Sequence, residues 1–113
     1  MHVVISPAGA VLSEAADTTA FDVRVVDVDE PGFTAVLERS GVGAFQPVEA
    51  FPGGHVEVRL DWIRTRAAAQ DVPAGWDDAF AAMLAHAGRR GWLSSDGSSV
   101  RGHVVAGAPP RGE

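Results

Sequence analysis

The chain of 113 residues contains no cysteine, lysine, tyrosine or asparagine. Without cysteine it forms neither a disulfide nor a thiolate metal site, and it offers no thiol nucleophile. The absence of lysine and tyrosine excludes a Schiff-base lysine and a phenolic general acid. Chemistry performed by the chain's own side chains is therefore restricted to histidine, carboxylate, hydroxyl and arginine groups.

Long apolar runs are also missing. No apolar segment approaches the roughly 18–20 residues that a membrane-spanning helix needs. Residues 1–7 lack the basic region and long apolar segment of a secretory signal, so we expect a cytoplasmic protein with no membrane partner. The apolar content of 46% and charged content of 21% are typical of a globular domain. We expect residues 1–105 to form one domain and residues 106–113 to form a flexible tail.

Positive charge is scarce in the first half of the chain, and the net charge is −6. Residues 1–58 carry nine carboxylates against two arginines, whereas residues 59–101 carry six arginines against five aspartates. An acidic chain repels phosphate groups at long range, so nucleic acid is a disfavoured partner. Two predicted helices followed by a hairpin also resemble the order of elements in a winged-helix DNA-binding domain. DNA binding is therefore the third hypothesis for the function.

What is present is a strongly alternating stretch over residues 53–62. After two glycines, the apolar and polar positions follow each other with a period of two. This period predicts a strand with one buried face that ends near residues 60–63. Further strands are predicted at residues 3–5, 21–28, 33–39 and 100–105. For residues 33–39 a helix is the alternative. We read residues 8–20 as a loop with a helical turn near 12–16, and residues 40–47 as a glycine-rich connector leading to a short run at 48–51.

The clearest helical pattern covers residues 76–90. Apolar residues recur there with a helical period, aspartates occupy the first turn and arginines the last, and Gly91 is placed to end the helix. A shorter helix is predicted over residues 62–70, with Asp61 as its N-cap. The predicted fold is α+β, with four to five mostly antiparallel strands and one long helix, or one long and one short, on one face. Residues 3–5 and 100–105 are the predicted edge strands.

The polar side of the alternating strand is the candidate catalytic site. His55 would serve as general base, Glu57 as its partner, and Arg59 as the group that binds a small anion, with Asp61 as a further ligand-binding residue. Side chains two residues apart on a strand stand on one face, roughly 6–7 Å from each other. A solvated sheet face predicts the same pattern and is the favoured alternative.

The four histidines show no metal-binding spacing. His2, His55, His86 and His103 are scattered along the chain, and His55-Val56-Glu57 is the nearest approach to a chelating pair. We therefore predict no metal and no cofactor.

The three tryptophans bracket the two helical segments, at Trp62, Trp76 and Trp92. Core packing is their favoured role, and an exposed interface patch is the alternative. Because no strong catalytic signature is present, the leading hypothesis is a small non-catalytic binding or accessory protein. It would act as a homodimer or with another protein, and a small enzyme using the His55 strand face is the second hypothesis.

Overall fold

A computed structural model describes residues 1–107. These residues form six strands and three helices that all belong to one α+β domain. The strands are β1 (His2–Ser6), β2 (Gly9–Ser13), β3 (Asp22–Val25), β4 (Gly43–Gln46), β5 (His55–Arg59) and β6 (Ser99–Ala106), and the helices are α1 (Glu30–Ser40), α2 (Leu60–Ala68) and α3 (Trp76–Arg89).

The strands form a single curled, mixed sheet in the order β2-β1-β3-β6-β5-β4. Strand β3 lies between β1 and β6 and runs parallel to both, whereas β2, β5 and β4 join by antiparallel pairing. The prediction of four or five mostly antiparallel strands with one long helix is therefore wrong. Parallel pairing joins segments that are far apart in the chain, and it leaves no local turn signal in the sequence.

The predicted edge strands are wrong for the same reason. Residues 3–5 belong to β1 and residues 100–105 to β6, and both strands have a neighbour on each side. The edges are β2 and β4, which lie in segments predicted as a loop and as a glycine-rich connector. Residues 48–51, predicted as a short run, form no strand, and the neighbour of β5 on this side is β4.

Helix α1 replaces the strand that was predicted over residues 33–39. The Asp29 side chain accepts a hydrogen bond from the Gly32 backbone N–H at 2.9 Å, which caps the helix at its start. The helix ends at Gly41, which has a φ of 66° and donates its N–H back to the last turn. The segment between the predicted strands at residues 21–28 and 33–39 thus contains the N-terminal cap of a helix.

The two other helices lie close to their predicted positions. Helix α3 ends one residue before the prediction, and Gly91 follows the C-cap with a φ of 76°. Helix α2 begins at Leu60, two residues earlier than predicted, because strand β5 already ends at Arg59. Arg59 occupies the N-cap position and Asp61 lies in the first turn, so the prediction of Asp61 as N-cap is wrong.

One face of the sheet carries the hydrophobic core. The side chains of Val3, Val23, Val56 and Val104 point to this face and are at most 1% exposed. The helices cover it with apolar residues, among them Phe33, Ile63 and Phe80. All belong to one continuous cluster, so burial on this single face stabilises the whole domain.

The C-terminal part of β6 remains paired to its end. The Gly107 backbone N–H donates to the Val25 carbonyl at 2.8 Å, so residues 106 and 107 continue the sheet. The remainder of the predicted tail, residues 108–113, lies outside the described residues. Between residues 1 and 107, no helix combines the length and apolar character needed to cross a bilayer.

Candidate functional site

The sheet face opposite the core carries a polar row that crosses all six strands. Its members are cross-strand partners: Ser13, His2, Asp22, His103, His55 and Gln46. Three of the four histidines therefore share one line on one face, although they lie far apart in the sequence. The scattered histidine positions gave no indication of this arrangement.

His2 holds one end of this row together. Its Nδ1 lies 2.7 Å from an Asp22 carboxylate oxygen, and its Nε2 lies 2.7 Å from a Glu14 carboxylate oxygen. The Arg24 Nε also donates to Asp22, at 3.2 Å. Both ring nitrogens of His2 are thus engaged and the residue is buried, so it ties β1 to β3 and has no free nitrogen for chemistry.

The structure brings three of the four predicted strand-face residues together. His55, Glu57 and Arg59 all lie on the polar face of β5, where the cross-strand partner of Glu57 is Arg101. Asp61 lies apart from them as an exposed residue of α2. Burial, and next the positive charge of Arg101, lower the pKa of His55 although Glu57 opposes them, so its imidazole is neutral at pH 7.

The three tryptophans occupy two different environments. Trp62 and Trp76 are buried, and Trp76 stacks on Phe80 with ring centroids 4.8 Å apart. The Trp76 Nε1 donates to the Ala15 carbonyl at 2.6 Å. Only Trp92 presents its ring to solvent, with 36% of its surface exposed. An interface role for tryptophan thus stays a prediction for Trp92.

A cleft of about 390 Å³ lies beside Trp92, between the C-terminal half of α3 and the first half of β6. Its wall is completed by the segment that leads into β3. The lining residues are Thr19, Ala20, Phe21, Met83, His86, Ala87, Trp92, Val100, Arg101 and His103. Its volume lies within the range of small-molecule sites in proteins.

The end of α3 places Trp92 in the cleft wall. The Trp92 N–H donates to the Ala87 carbonyl at 2.8 Å, and the Gly91 N–H donates to Gly88 at 3.2 Å. These two bonds form a Schellman motif, which sets the residue after the glycine beside the last turn of the helix. The Arg90 guanidinium lies 5.1 Å from the centre of the Trp92 ring. The local sequence at the helix end therefore fixes the position of this aromatic ring.

A change of neighbours along β6 opens the cleft. Its second half pairs with β3, whereas its first half is bonded on the same side to residues 92–94. The Arg101 N–H donates to the Trp92 carbonyl at 2.7 Å, and the Asp96 carboxylate orders the following turn by accepting bonds from Ser94 and Ser98. These bonds lower the pKa of Asp96 to about 2. A gap remains between residues 92–94 and the start of β3.

The lining of the cleft combines an apolar floor with a basic rim. Phe21, Met83 and Val100 supply apolar surface, while Arg101 and His103 come from the polar side of β6. None of the ten described lining residues is acidic, although the chain carries 15 acidic residues. The lining therefore combines apolar surface with positive charge and, among its described residues, contains no carboxylate.

Among residues 1–107, the rim residue Arg101 forms no ion pair with a carboxylate. The four ion pairs found among residues 1–107 involve His2, Arg24 and His103. Of these, His103 Nε2 lies 3.7 Å from a Glu49 oxygen. In this part of the chain, the Arg101 guanidinium thus remains available to a ligand.

Two further surfaces are less well suited to a ligand. A groove of about 330 Å³ includes Glu57, Arg59 and Ser99, so it combines charges of both signs. Another, of about 420 Å³, lies along the loop between α2 and α3. Within residues 1–107, no group of three or more histidine, aspartate or glutamate side chains is arranged to hold a metal ion.

His55 and Glu57 were predicted as site residues from the alternating pattern, whereas the cleft was not predicted. Two signals were present: Met83, His86 and Ala87 have the i, i+3, i+4 spacing of one helix face, and Arg101 and His103 alternate with apolar residues. No sequence signal connects these two elements with the segment at residues 19–21. Their meeting depends on the parallel pairing of β3 with β6.

No protein-family model, no curated protein and no solved structure matches this chain.

Proposed function

We propose that this chain is a small non-catalytic binding protein whose cleft beside Trp92 holds a flat, largely apolar small molecule. The observation that carries the proposal is the cleft itself, with its aromatic and aliphatic floor and a lining free of carboxylates among its described residues. Sites for small molecules are concave and mainly apolar, with a few polar groups that orient the ligand. The other two grooves lack this combination.

The two methionines of the chain provide a direct test. Met83 lines the cleft, whereas Met1 is fully buried in the core, so their methyl NMR signals serve as reporter and internal control. With uncharged 2-naphthamide as the probe, we expect a saturable shift of the Met83 methyl and the Trp92 indole signals. The absence of a saturable shift at both signals, with this probe and with its carboxylate analogue 2-naphthoate, would contradict the proposal.

A pair of truncations links the binding to the cleft wall. The Trp92→Ala variant removes the aromatic wall and is expected to weaken 2-naphthamide binding roughly tenfold, as the loss of an aromatic contact implies. Val11→Ala truncates another exposed apolar residue, on β2 with two strands between it and β6, and should leave the affinity unchanged. Equal loss in both variants would show that binding does not depend on the cleft.

A small enzyme that uses His55 and Glu57 is the second candidate function. It is favoured by the lowered pKa of His55, because a neutral imidazole at pH 7 accepts a proton. The hydrolysis of p-nitrophenyl acetate provides an assay without a known substrate. This candidate requires a pH–rate profile with an inflection below pH 6.5 that is lost in His55→Ala, and an unchanged rate in that variant eliminates it.

Self-association remains a prediction alongside the binding role. A second copy would pair at an outer strand, β2 or β4, because among residues 1–107 each of these has a strand neighbour on one side only. We expect a dimer in sedimentation equilibrium that persists at high salt. A monomer at both low and high salt would contradict this expectation.

A further inference from the structure

We propose that the cleft selects ligands that carry an anionic group, with Arg101 as the residue that binds this group. The proposal rests on the proposed function and specifies its ligand class: a small aromatic or apolar carboxylate. Its basis is the position, at the rim of an apolar cleft, of a guanidinium that forms no ion pair with any residue from 1 to 107.

The placement of Arg101 follows from the alternation of β6. Val100 and Gly102 face the core, so Arg101 between them faces the opposite side, where it reaches the rim of the cleft. Its backbone N–H is held by the Trp92 carbonyl at 2.7 Å. The strand position and this bond together set the base of the Arg101 side chain beside the aromatic wall.

Gly102 packs closely against the apolar wall of the cleft. A Cβ atom built on Gly102 would lie 2.9 Å from the Phe21 ring and 2.9 Å from a Val23 methyl group. A larger residue at position 102 would therefore displace Phe21 or Val23. Because Phe21 lines the cleft, the shape of the apolar wall depends on this glycine.

Charge complementarity decides the class of the ligand. The described lining contains no carboxylate, since Glu57, the cross-strand partner of Arg101, is not among its residues, and Arg90 adds a further positive charge beside Trp92. Arginine binds carboxylates through two parallel N–H groups, which adds geometric selectivity to the charge. A neutral or cationic ligand would leave this guanidinium without a partner.

The test compares 2-naphthoate with 2-naphthamide, which have the same ring system and differ in charge. Because Arg101 is exposed, we expect calorimetry to show roughly three- to tenfold tighter binding of the carboxylate. This preference should fall as the salt concentration rises. Equal affinities with measurable binding would overturn the anion proposal and leave the binding proposal intact. Absence of binding by both compounds would overturn both.

Charge-matched variants assign the preference to one residue. Arg101→Gln should bring the two affinities together, whereas Arg101→Lys should retain part of the preference because it keeps the charge without the paired N–H groups. Arg89→Gln removes the same charge from an exposed position in the last turn of α3 and should keep the full preference. Equal loss in Arg89→Gln and Arg101→Gln would show a general charge effect and overturn the role of Arg101.

Discussion

The two faces of the sheet are formed by alternating residues of the same strands, yet they have opposite roles. The covered face packs against three helices and holds the hydrophobic core. The other face carries the polar row, which includes three histidines, and charges of both signs. The cleft is lined from both faces, because Val100 belongs to the first and Arg101 to the second. The difference shows how one strand supplies both the apolar floor and the basic rim of a site.

The sharpest test of the two faces uses one substitution at adjacent positions of β1. Val3 is fully buried on the covered face, and Val4 is partly exposed on the other. Val3→Ala should lower the free energy of unfolding by about 2–3 kcal/mol, because two buried carbons are lost and a cavity remains. Val4→Ala should cost less than about 1 kcal/mol. Urea denaturation measures both, and equal costs would contradict the assignment of the faces.

The close approach of Phe21 to Gly102 predicts the next largest effect. Gly102→Ala should destabilise the fold by about 1–3 kcal/mol, because the added methyl group overpacks the contact with Phe21 and Val23. The same variant should shift the Met83 methyl signal while leaving that of Met1 in place. A stable variant with an unshifted Met83 signal would contradict the dependence of the apolar wall on Gly102.

Two buried tryptophans sharpen the comparison on the helix side. The Trp76 Nε1 donates a buried hydrogen bond to the Ala15 carbonyl, whereas the buried Trp62 Nε1 has no partner among residues 1–107. Trp76→Phe should therefore cost about 1 kcal/mol more than Trp62→Phe, the net value of one hydrogen bond. Thermal or urea unfolding of the two variants measures the difference. A larger loss of stability in Trp62→Phe than in Trp76→Phe would contradict the hydrogen-bond assignment.

The smallest predicted effect concerns pH and the polar face. The folded pKa of His55 lies below its ordinary value of 6.5, because of burial, Arg101 and His103, with Glu57 acting in the opposite direction. The unfolded chain therefore binds this proton more readily. The stabilising contribution is fully present above pH 6.5 and is lost as the pH falls through the lowered folded pKa. His55→Gln should flatten this pH dependence of unfolding, and an unchanged slope would contradict the shift.

Local patterns predicted the elements whose signals lie within a few residues. The alternation at residues 55–59 and the apolar stripe of α3 are of this kind. The end of α3 also has a local signal, because Gly91 directly follows the C-cap residue of the helix. The sequence from Asp29 to Gly32 shows the limit of such signals. Aspartate, proline and glycine favour both a tight turn and a helix start, and the i, i+3, i+4 spacing of Phe33, Val36 and Leu37 decides for the helix.

The sheet order and the cleft could not be predicted from local patterns. Strand β3 pairs with β6 across about 80 positions of the chain, and this contact is driven by burial of the shared core and not by a turn. The same pairing brings residues 19–21 towards Trp92 and aligns Asp22 with His103. The antiparallel pairing of β5 with β6 then places His55 beside His103. The strand-face residues were therefore visible in the sequence, whereas the rim residue Arg101 was not.

The most direct test of the account is the pose of bound 2-naphthoate, measured by intermolecular NOEs on the wild-type chain. We predict NOEs from the ring protons to the Met83 methyl group and the Trp92 indole ring, with the carboxylate end of the ring system nearest to Arg101. The account would be contradicted by NOEs confined to the groove of about 330 Å³ that includes Leu37 and Ala44. It would also be contradicted by a carboxylate end that points away from Arg101.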